Sequence, residues 1–484
     1  MSKPNIILIM CDQFRGDALS ILGHPDVKTP YLNTLANDGH IFEKAYSACP
    51  TCIPARAILF TGQNQRHTKK VGYAEGTSWD YENMMAEVFK VNGYQTQCVG
   101  KMHVHPPRLS CGFENIRLHD GYLGHYRRYD TPYWQHQKVN DDYLKFLRDK
   151  EGEDVDITDT GVECNSWVTH PWIYEEKHHP TNWTVDESIN FLNTRDRTRP
   201  FFLMTSFVRP HAPFDPPKSY LDLYINKNLK MPEVGSWVDK DRTKENGYNK
   251  DSLDGCNDPD LIHEAMAGYY GCITHIDHQI GRLITALEDD DSYNNSIILF
   301  TSDHGELLFD NNTFRKTLPY EGSVRVPCII HVGKDVAKTD KKRYEDLFEL
   351  KDVMPTLLDF ASLTIPKSVD GISFKDRILN NKEIKRDYIH GEHSGTKYTS
   401  NQYIVTKDYK YIWYTQRDTE QFFDLRSDPK ELINLINEDT YQEIIKILRN
   451  YLIKELEDRE EGYSDGVSLI SSCTPQSILT KDYK

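Results

Sequence analysis

Apolar runs that end in polar tips recur along this chain. Pro4 to Met10 is unbroken by polar residues save Asn5, the pattern of a strand covered on both faces, and it ends in Cys11-Asp12-Gln13. Gln95 to Val99 ends in Gly100-Lys101-Met102-His103 and Pro200 to Phe207 in Val208-Arg209-Pro210-His211. Asn295 to Thr301 ends in Ser302-Asp303-His304-Gly305-Glu306. Helical patterns lie between these runs. Thr29-Pro30 predicts a capped helix from Tyr31 to about Asn37, and another spans about Asn83 to Val91. Thr184-Val185-Asp186-Glu187 reads as a capping box opening a helix through Asn193. From Pro259 to Leu287, Ile262, Met266, Tyr270, Ile273, Ile276 and Ile280 recur at helical spacing and mark a core stripe. Leu350 to Ala361 is a further helix. The alternation predicts an α/β fold with a large, mixed, mostly parallel sheet flanked by helices. In such sheets ligands bind beyond the carboxyl ends of the strands.

After about residue 380 the texture changes. Short strands at Tyr388–His390, Tyr403–Thr406 and Tyr409–Tyr414 lead to a charged amphipathic helix from Tyr441 to Leu456. The expectation is a large domain over 1–380 and a smaller α+β domain over 381–484, built on an antiparallel sheet. Two stretches lack periodicity, 105–179 and 215–258. The first is rich in aromatic and imidazole groups at His119–Arg128 and Tyr133–His136, which suits either loops that bind a sugar or aryl group or a structural insertion packed on its own rings.

Composition narrows the function. The 484 residues carry a net charge of −16, which argues against a nucleic-acid partner because phosphate contacts need clustered Lys and Arg. No apolar run is long enough to span a bilayer, and Ile6–Met10 is too short for a signal-peptide core, so the chain reads as cytoplasmic with no membrane contact. The ten cysteines show no framework spacing, and disulfides are not expected. Cys49-Pro-Thr-Cys52 is also a C-x-x-C that could serve as a redox pair.

The candidate chemistry centres on Pro50-Thr51-Cys52-Ile53-Pro54-Ala55-Arg56. Pro54 suits a first helical turn, so Cys52 lies at a helix N-terminus, where the dipole and unpaired N–H groups favour an anion. Arg56 is one turn on. Asp12, Gln13, Asp303 and His304 stand at two strand tips and form a mostly oxygen donor set, suited to Ca²⁺ or Mg²⁺ rather than to a thiolate zinc site.

Cys-x-Pro-Ala-Arg resembles the Cys-x-Pro-Ser-Arg sequence of type I sulfatases, whose cysteine is oxidised to formylglycine. The resemblance continues in order through Lys3–Asp12, Gly100–His103, Thr301–Glu306, Glu321–Pro327, Asp352–Leu357, Phe423–Leu425 and Asp428-Pro429. It implies an alkaline-phosphatase-like fold and hydrolysis of a sulfate monoester. By position it assigns Asp12, Gln13, Cys52, Asp303 and His304 to a divalent cation, with Ca²⁺ expected and Mg²⁺ possible. Cys52, as formylglycine, is the implied nucleophile, made by a formylglycine-generating maturase. Arg56 anchors it, Lys101 and Lys316 bind sulfate oxygens, His211 protonates the leaving alcohol, and His103 takes the proton that releases sulfate. Arg315 competes with Lys316 for its role. His390 and His393 reach the substrate from the small domain, or are structural. Gln13 stands where an Asp is common, which leaves one less negative charge on the cation. The acidic net charge fits a small sulfated carbohydrate or aryl sulfate better than a long polyanion. Two other functions remain open at this point. One is a phosphonate monoester or phosphodiester hydrolase, against which the Lys101/His103 pair argues. The other is a silent carbohydrate-binding protein that keeps the Cys52 thiol.

Overall fold

In the computed structural model, residues 3–120, 141–239, 258–340, 342–396, 398–417 and 419–483 are described. Two sheets carry the fold. The strands of the larger are β1 (Asn5–Asp12), β2 (His40–Tyr46), β3 (Gln95–Gly100), β4 (Asn115–Leu118), β5 (Phe201–Pro210), β6 (Ser296–Ser302), β7 (Arg325–Val326), β8 (Cys328–Val332) and β9 (Lys342–Glu349). Their order is β4-β3-β5-β1-β6-β8-β2-β7, with β9 against β2. The five strands from β4 to β6 are parallel, as is the β2/β9 pair, whereas β8 is antiparallel to both β6 and β2. The mixed, mostly parallel sheet expected from the apolar runs is therefore present. A second sheet of four antiparallel strands follows as β10 (Ile389–His393), β11 (Asn401–Val405), β12 (Tyr409–Tyr414) and β13 (Thr419–Asp424).

Alternation along β1 divides the core. Ile7 and Ile9, with Leu203, Ile298 and Phe300, face the helices Pro180–Thr194 and Pro259–Asp289. Ile6, Leu8 and Met10, with Phe202, Met204 and Leu299, face the helices Cys52–Thr61, Met85–Val91 and Val353–Phe360. Helices on both sides leave no wet face on the central strands, which is why β1 reads as an apolar run without alternation. In the small sheet, Ile404, Tyr411, Trp413 and Phe422 pack under Ile445, Leu448 and Leu452 of the helix Gln442–Glu455. Its other face joins Tyr46, Ala48, Leu307 and Tyr320 of the larger unit through Tyr403, Ile412, Tyr414 and Phe423.

Two helix starts differ from expectation. The helix holding Thr184 begins at Pro180, and the ring of His179 accepts from Thr181 N at 3.1 Å. Thr184 lies one turn inside and donates its hydroxyl to Pro180 O, so no capping box forms there. The helix Pro30–Asn37 does have Pro at its start, but the Thr29 side chain does not cap it. Asp277, from the facing long helix, accepts from Tyr31 N and Leu32 N instead. No disulfide joins the described cysteines. No helix among the described residues is long and apolar enough to cross a membrane. The aromatic-rich stretch from 121 to 140 and the polar stretch from 240 to 257 lie outside the described residues.

Candidate active site at the rim of the large sheet

Register brings the polar tips together. Met10 pairs with Ser206 on one side and Thr301 on the other, and Gly100 pairs with Ser206. Parallel pairing therefore ends β3, β5, β1 and β6 at one level, and Lys101, His211, Asp12 and Asp303 leave the sheet at the same rim. Gly100 makes the turn possible for β3. Its φ is +98°, and a Cβ there would sit 1.9 Å from Ser206 O, so a larger residue would displace the backbone that positions Lys101. The helix Cys52–Thr61 arrives over this rim with Cys52 as its first residue.

The thiol lies among buried charges. Cys52 Sγ is 3.3 Å from His304 Nε2 and 3.6 Å from Asp12 Oδ1. His304 Nε2 is 3.3 Å from Asp12 Oδ1 and 3.7 Å from Asp303 Oδ1. One donor atom from each of Asp12, Cys52, Asp303 and His304 falls within 4.8 Å of the others. Around them, Lys101 Nζ donates to Asp12 Oδ2. Arg56 Nε donates to Asp303 Oδ2 at 2.9 Å, and Arg56 Nη1 to Lys101 O and Ser206 Oγ. Lys316 Nζ lies 2.7 Å from both Gln13 Oε1 and His211 Nε2. Lys316 thus supplies the ammonium group of this loop, while Arg315 contributes its backbone N–H to Glu306.

This donor set fits a divalent cation. Asp12, Asp303, His304, Arg56 and Lys101 are completely buried, and buried carboxylates need cations close by. His304 Nδ1 donates to Gly305 O at 2.9 Å, which fixes the tautomer and leaves Nε2 for the shared centre. Two carboxylates and an imidazole gather with position 52, and carboxylate oxygens are the ligands that Ca²⁺ or Mg²⁺ prefers.

Charge also tunes each group. Burial and Asp12 oppose ionisation of Cys52, yet Lys101, Lys316 and His304 together pull its thiol below the usual value. Burial likewise opposes the Asp12 carboxylate, but Lys101, His211, His304 and Lys316 hold it well below the ordinary range. His103 is pushed well below an ordinary imidazole by burial, Lys101 and Arg56, and His211 by burial and Lys316. Both rings are neutral near pH 7.

The two imidazoles are set differently. His211 Nδ1 donates to Ala212 O at 2.8 Å, so Nε2 presents its lone pair to Lys316. His103 has φ +57° and, among the described residues, no hydrogen-bond partner at Nδ1, and its ring meets Tyr73 edge-on at 6.2 Å. From the small sheet, His393 is 5 % exposed, with both ring nitrogens unpartnered among the described residues. His390 lies on the same strand, and its ring contacts Gln65 and Gln402. The site residues expected from the sequence, apart from His390, thus gather at or beside one rim, with His393 near enough to His304 for the two rings to oppose each other's protonation. His390 and His393 are the two that the small sheet supplies. Those two sit three positions apart on β10, and strand alternation sends them to opposite faces.

Sequence reasoning gave no part to three residues that hold this rim. Asp120 accepts from Met102 N and His103 N, both at 3.0 Å, and so fixes the turn that carries His103. Ser206 accepts from Arg56, and Glu306 accepts from Gln13 Nε2. Glu306 stands at the end of the Thr301–Glu306 motif, whereas Asp120 is brought near by the β3/β4 pairing and has no local signal.

Comparison with known proteins agrees with this picture. Residues 4–363 match the model of the family described as Sulfatase, and residues 310–458 match "N-sulphoglucosamine sulphohydrolase, C-terminal". The chain is 52% identical to an arylsulfatase of Clostridium perfringens over 469 residues, covering 97% of each chain. A solved structure of a protein in complex with its substrate D-glucosamine-2-N,6-O-disulfate aligns with TM-score 0.75 at 21% identity, covering 95% of this chain and 99% of that one. The phosphonate monoester hydrolase of Agrobacterium radiobacter aligns with TM-score 0.74 at 23% identity, covering 93% and 95%. At such identity both solved structures speak for the fold alone.

Proposed function

Because the chain belongs to the sulfatase family and is a sulfate-ester hydrolase, we propose that position 52, oxidised to formylglycine, is its nucleophile. Its cation is Ca²⁺, with Mg²⁺ as the substitute, held by Asp12, Gln13, Asp303, His304 and the modified residue 52. The observation that carries this reading is the gathering of one donor atom each from Asp12, Cys52, Asp303 and His304 within 4.8 Å. A bound divalent ion supplies Lewis acidity, polarising a sulfate oxygen and lowering the pKa of the attacking hydroxyl. The hydrated aldehyde of formylglycine supplies one hydroxyl for attack on sulfur and a second whose deprotonation restores the aldehyde.

The chain's own residues do the rest. Lys101 and Lys316 place fixed positive charge on the sulfate oxygens, which counts for more in a dry site than in water. Arg56 holds Asp303 and the Lys101 carbonyl, and thereby steadies both position 52 and the cation ligands. When substrate binds, His211 takes up a proton from solvent at Nε2 and passes it to the leaving oxygen as the ester S–O bond breaks. The negative charge of a bound sulfate ester opposes the Lys316 repulsion that keeps this ring neutral, so substrate binding raises its proton affinity. His103, already neutral, accepts the proton of the remaining hydroxyl. His393 offers its unpartnered nitrogens to the substrate, and His390 acts from behind the strand by holding Gln65 and Gln402.

The substrate is a small sulfated carbohydrate or aryl sulfate. The burial of the charge cluster and the acidic net charge both favour a short molecule over a long polyanion. Residues 1–380 form the catalytic domain and 381–484 a subdomain, a division supported by the separate core under the helix Gln442–Glu455. A formylglycine-generating maturase is the partner this reading requires, and the compartment is the cytoplasm. Mass spectrometry of the peptide containing residue 52, from the native host, tests the nucleophile: the thiol-to-aldehyde mass change is expected, and an unmodified thiol overturns it. Side-by-side kinetics on an aryl sulfate and an aryl phosphonate test the substrate class, with greater efficiency expected on the sulfate.

A further inference from the structure

Gln13 poses a problem that its neighbours solve. A carboxylate at this position presents oxygen to a cation in either rotamer. An amide presents oxygen in one orientation and an N–H₂ group in the other, and the second would repel a divalent ion. We infer that Glu306 is a positioning residue: it takes Nε2 of the Gln13 amide and so leaves Oε1, the atom beside Lys316 Nζ, as the one available to a cation. This rests on the reading of Gln13 as a cation ligand.

The hydrogen bonds admit one orientation. Gln13 Nε2 donates to Glu306 Oε2, and Gln13 Oε1 accepts from Lys316 Nζ at 2.7 Å. An ionised carboxylate is acceptor-only and an ammonium donor-only, so turning the amide over would break both bonds. Glu306 itself cannot turn. Its Oε1 accepts from two backbone donors, Leu308 N at 2.8 Å and Arg315 N, and the residue is 1 % exposed. The Gln13 backbone is held as well. It sits at φ +70°, with N donating to Asp303 Oδ1 at 3.2 Å and O accepting from Tyr269 Oη at 2.7 Å. The adjoining Gly305 leaves no slack, since a Cβ there would lie 2.1 Å from Gly322 O. Glu306 thus adds a negative charge beside Gln13 and dictates which atom of the amide is left for a cation.

Glu306→Gln isolates this role. The two backbone donors keep an oxygen of the new amide, so its N–H₂ faces Gln13. Gln13 must then turn its own oxygen to that N–H₂ and present nitrogen to the cation. Pairing it with Gln13→Glu reverses the defect, because a carboxylate at position 13 accepts from the amide at position 306 and still offers an oxygen to the ion. Isothermal titration of Ca²⁺ into metal-stripped full-length protein reads this directly, without turnover. Glu306→Gln is expected to weaken Ca²⁺ binding by about 10–100-fold, the usual cost of losing an outer-shell partner. The double variant Gln13→Glu/Glu306→Gln is expected to return to the wild-type affinity. Wild-type affinity in Glu306→Gln overturns the inference, and so does a double variant as weak as the single. Should Glu306→Gln not fold, Gln13→Glu alone is the comparison. It sets two carboxylates face to face and must bind Ca²⁺ more weakly than the double variant; the reverse order overturns the inference. Wild-type protein that binds neither Ca²⁺ nor Mg²⁺ overturns the cation reading and this inference together.

Discussion

Two buried charge clusters in this molecule use the same residue types to opposite ends. In the small unit, Arg459 Nη1 and Nη2 each meet Glu392 at 2.8 Å, and Nη2 and Nε meet Glu461 at 2.6 and 3.1 Å. Gln402 Nε2 donates to Glu392 at 2.9 Å. Every donor nitrogen of that guanidinium has a carboxylate, in the two-pronged geometry that suits Arg. The rim cluster is equally buried but does not close on itself. It crowds carboxylates, a thiol and an imidazole within 4.8 Å of one another, leaves His103 Nδ1 without a partner among the described residues, and holds Gln13 and His103 at positive φ. Such strain and imbalance persist only where the surrounding structure over-determines them. One cluster fastens the fold, and the other is kept in readiness for groups from outside the chain.

The contrast breaks most sharply at position 52. Cys52→Ala removes the proposed nucleophile without opening the sheet, so turnover of an aryl sulfate should fall by ~10⁴-fold or more. The thermal midpoint should stay close to that of the parent. Residual activity comparable to the parent's refutes the nucleophile, and unfolding would mean that the rim is a structural cluster after all.

The opposite result is expected at Arg459. Arg459→Met strands Glu392 and Glu461 as uncompensated buried charges, which costs about 3–5 kcal/mol of stability. Activity per folded molecule should change far less than in Cys52→Ala. The triple change Glu392→Gln/Arg459→Met/Glu461→Gln removes all three charges together and should be much milder in chemical denaturation. A triple variant as unstable as the single would show that the cluster matters for shape and not for charge.

Lys101→Ala sits between these extremes, because Lys101 serves both purposes. Loss of one fixed charge at the reacting group typically lowers kcat by ~10²–10³. The same change leaves Asp12 without its ammonium partner, so the variant should be destabilised when stripped of metal. Ca²⁺ should then raise its melting temperature more than that of the parent, since ligand binding to the folded state stabilises it. Equal Ca²⁺ shifts in the two proteins would separate Lys101 from the cation site.

The rim was legible in the sequence for a reason the small cluster lacks. Parallel strands buried on both faces announce themselves as apolar runs, and each ends at the same edge, so Asp12, Lys101, His211 and Asp303 could be placed together without knowing the strand order. The nearly continuous motif match then supplied their expected roles. Strands β2 and β9 escaped because each carries charged residues, such as Glu43, Lys44, Glu345 and Asp346, along a partly exposed face. The helix start at Pro180 escaped because His179 is an uncommon cap, while Thr184 and Glu187 offered a familiar but unused one. Glu306 and Asp120 could be seen as residues but not as supports. Their effect depends on which backbone N–H groups a fold brings within hydrogen-bond reach.

His393 is where the two clusters meet, and it gives the finest test of the contrast. It follows Glu392 in the chain, yet strand alternation turns it away from Arg459. Burial drives its pKa down to about 4, Glu392 pulls the other way, and His304 adds to the depression. A buried neutral imidazole loses ground to the unfolded chain once that chain takes up a proton. Its contribution is complete above the ordinary value of about 6.5 and drains away as the pH falls through the folded value. Denaturant unfolding of the parent and His393→Gln should therefore show a gap that is constant above pH 7. As the pH falls from 6.5 toward 4 the gap should shift steadily in favour of the variant, which takes up no proton at this position. A gap that does not vary with pH would mean that His393 is charged in the folded protein and belongs with Arg459, not with the rim.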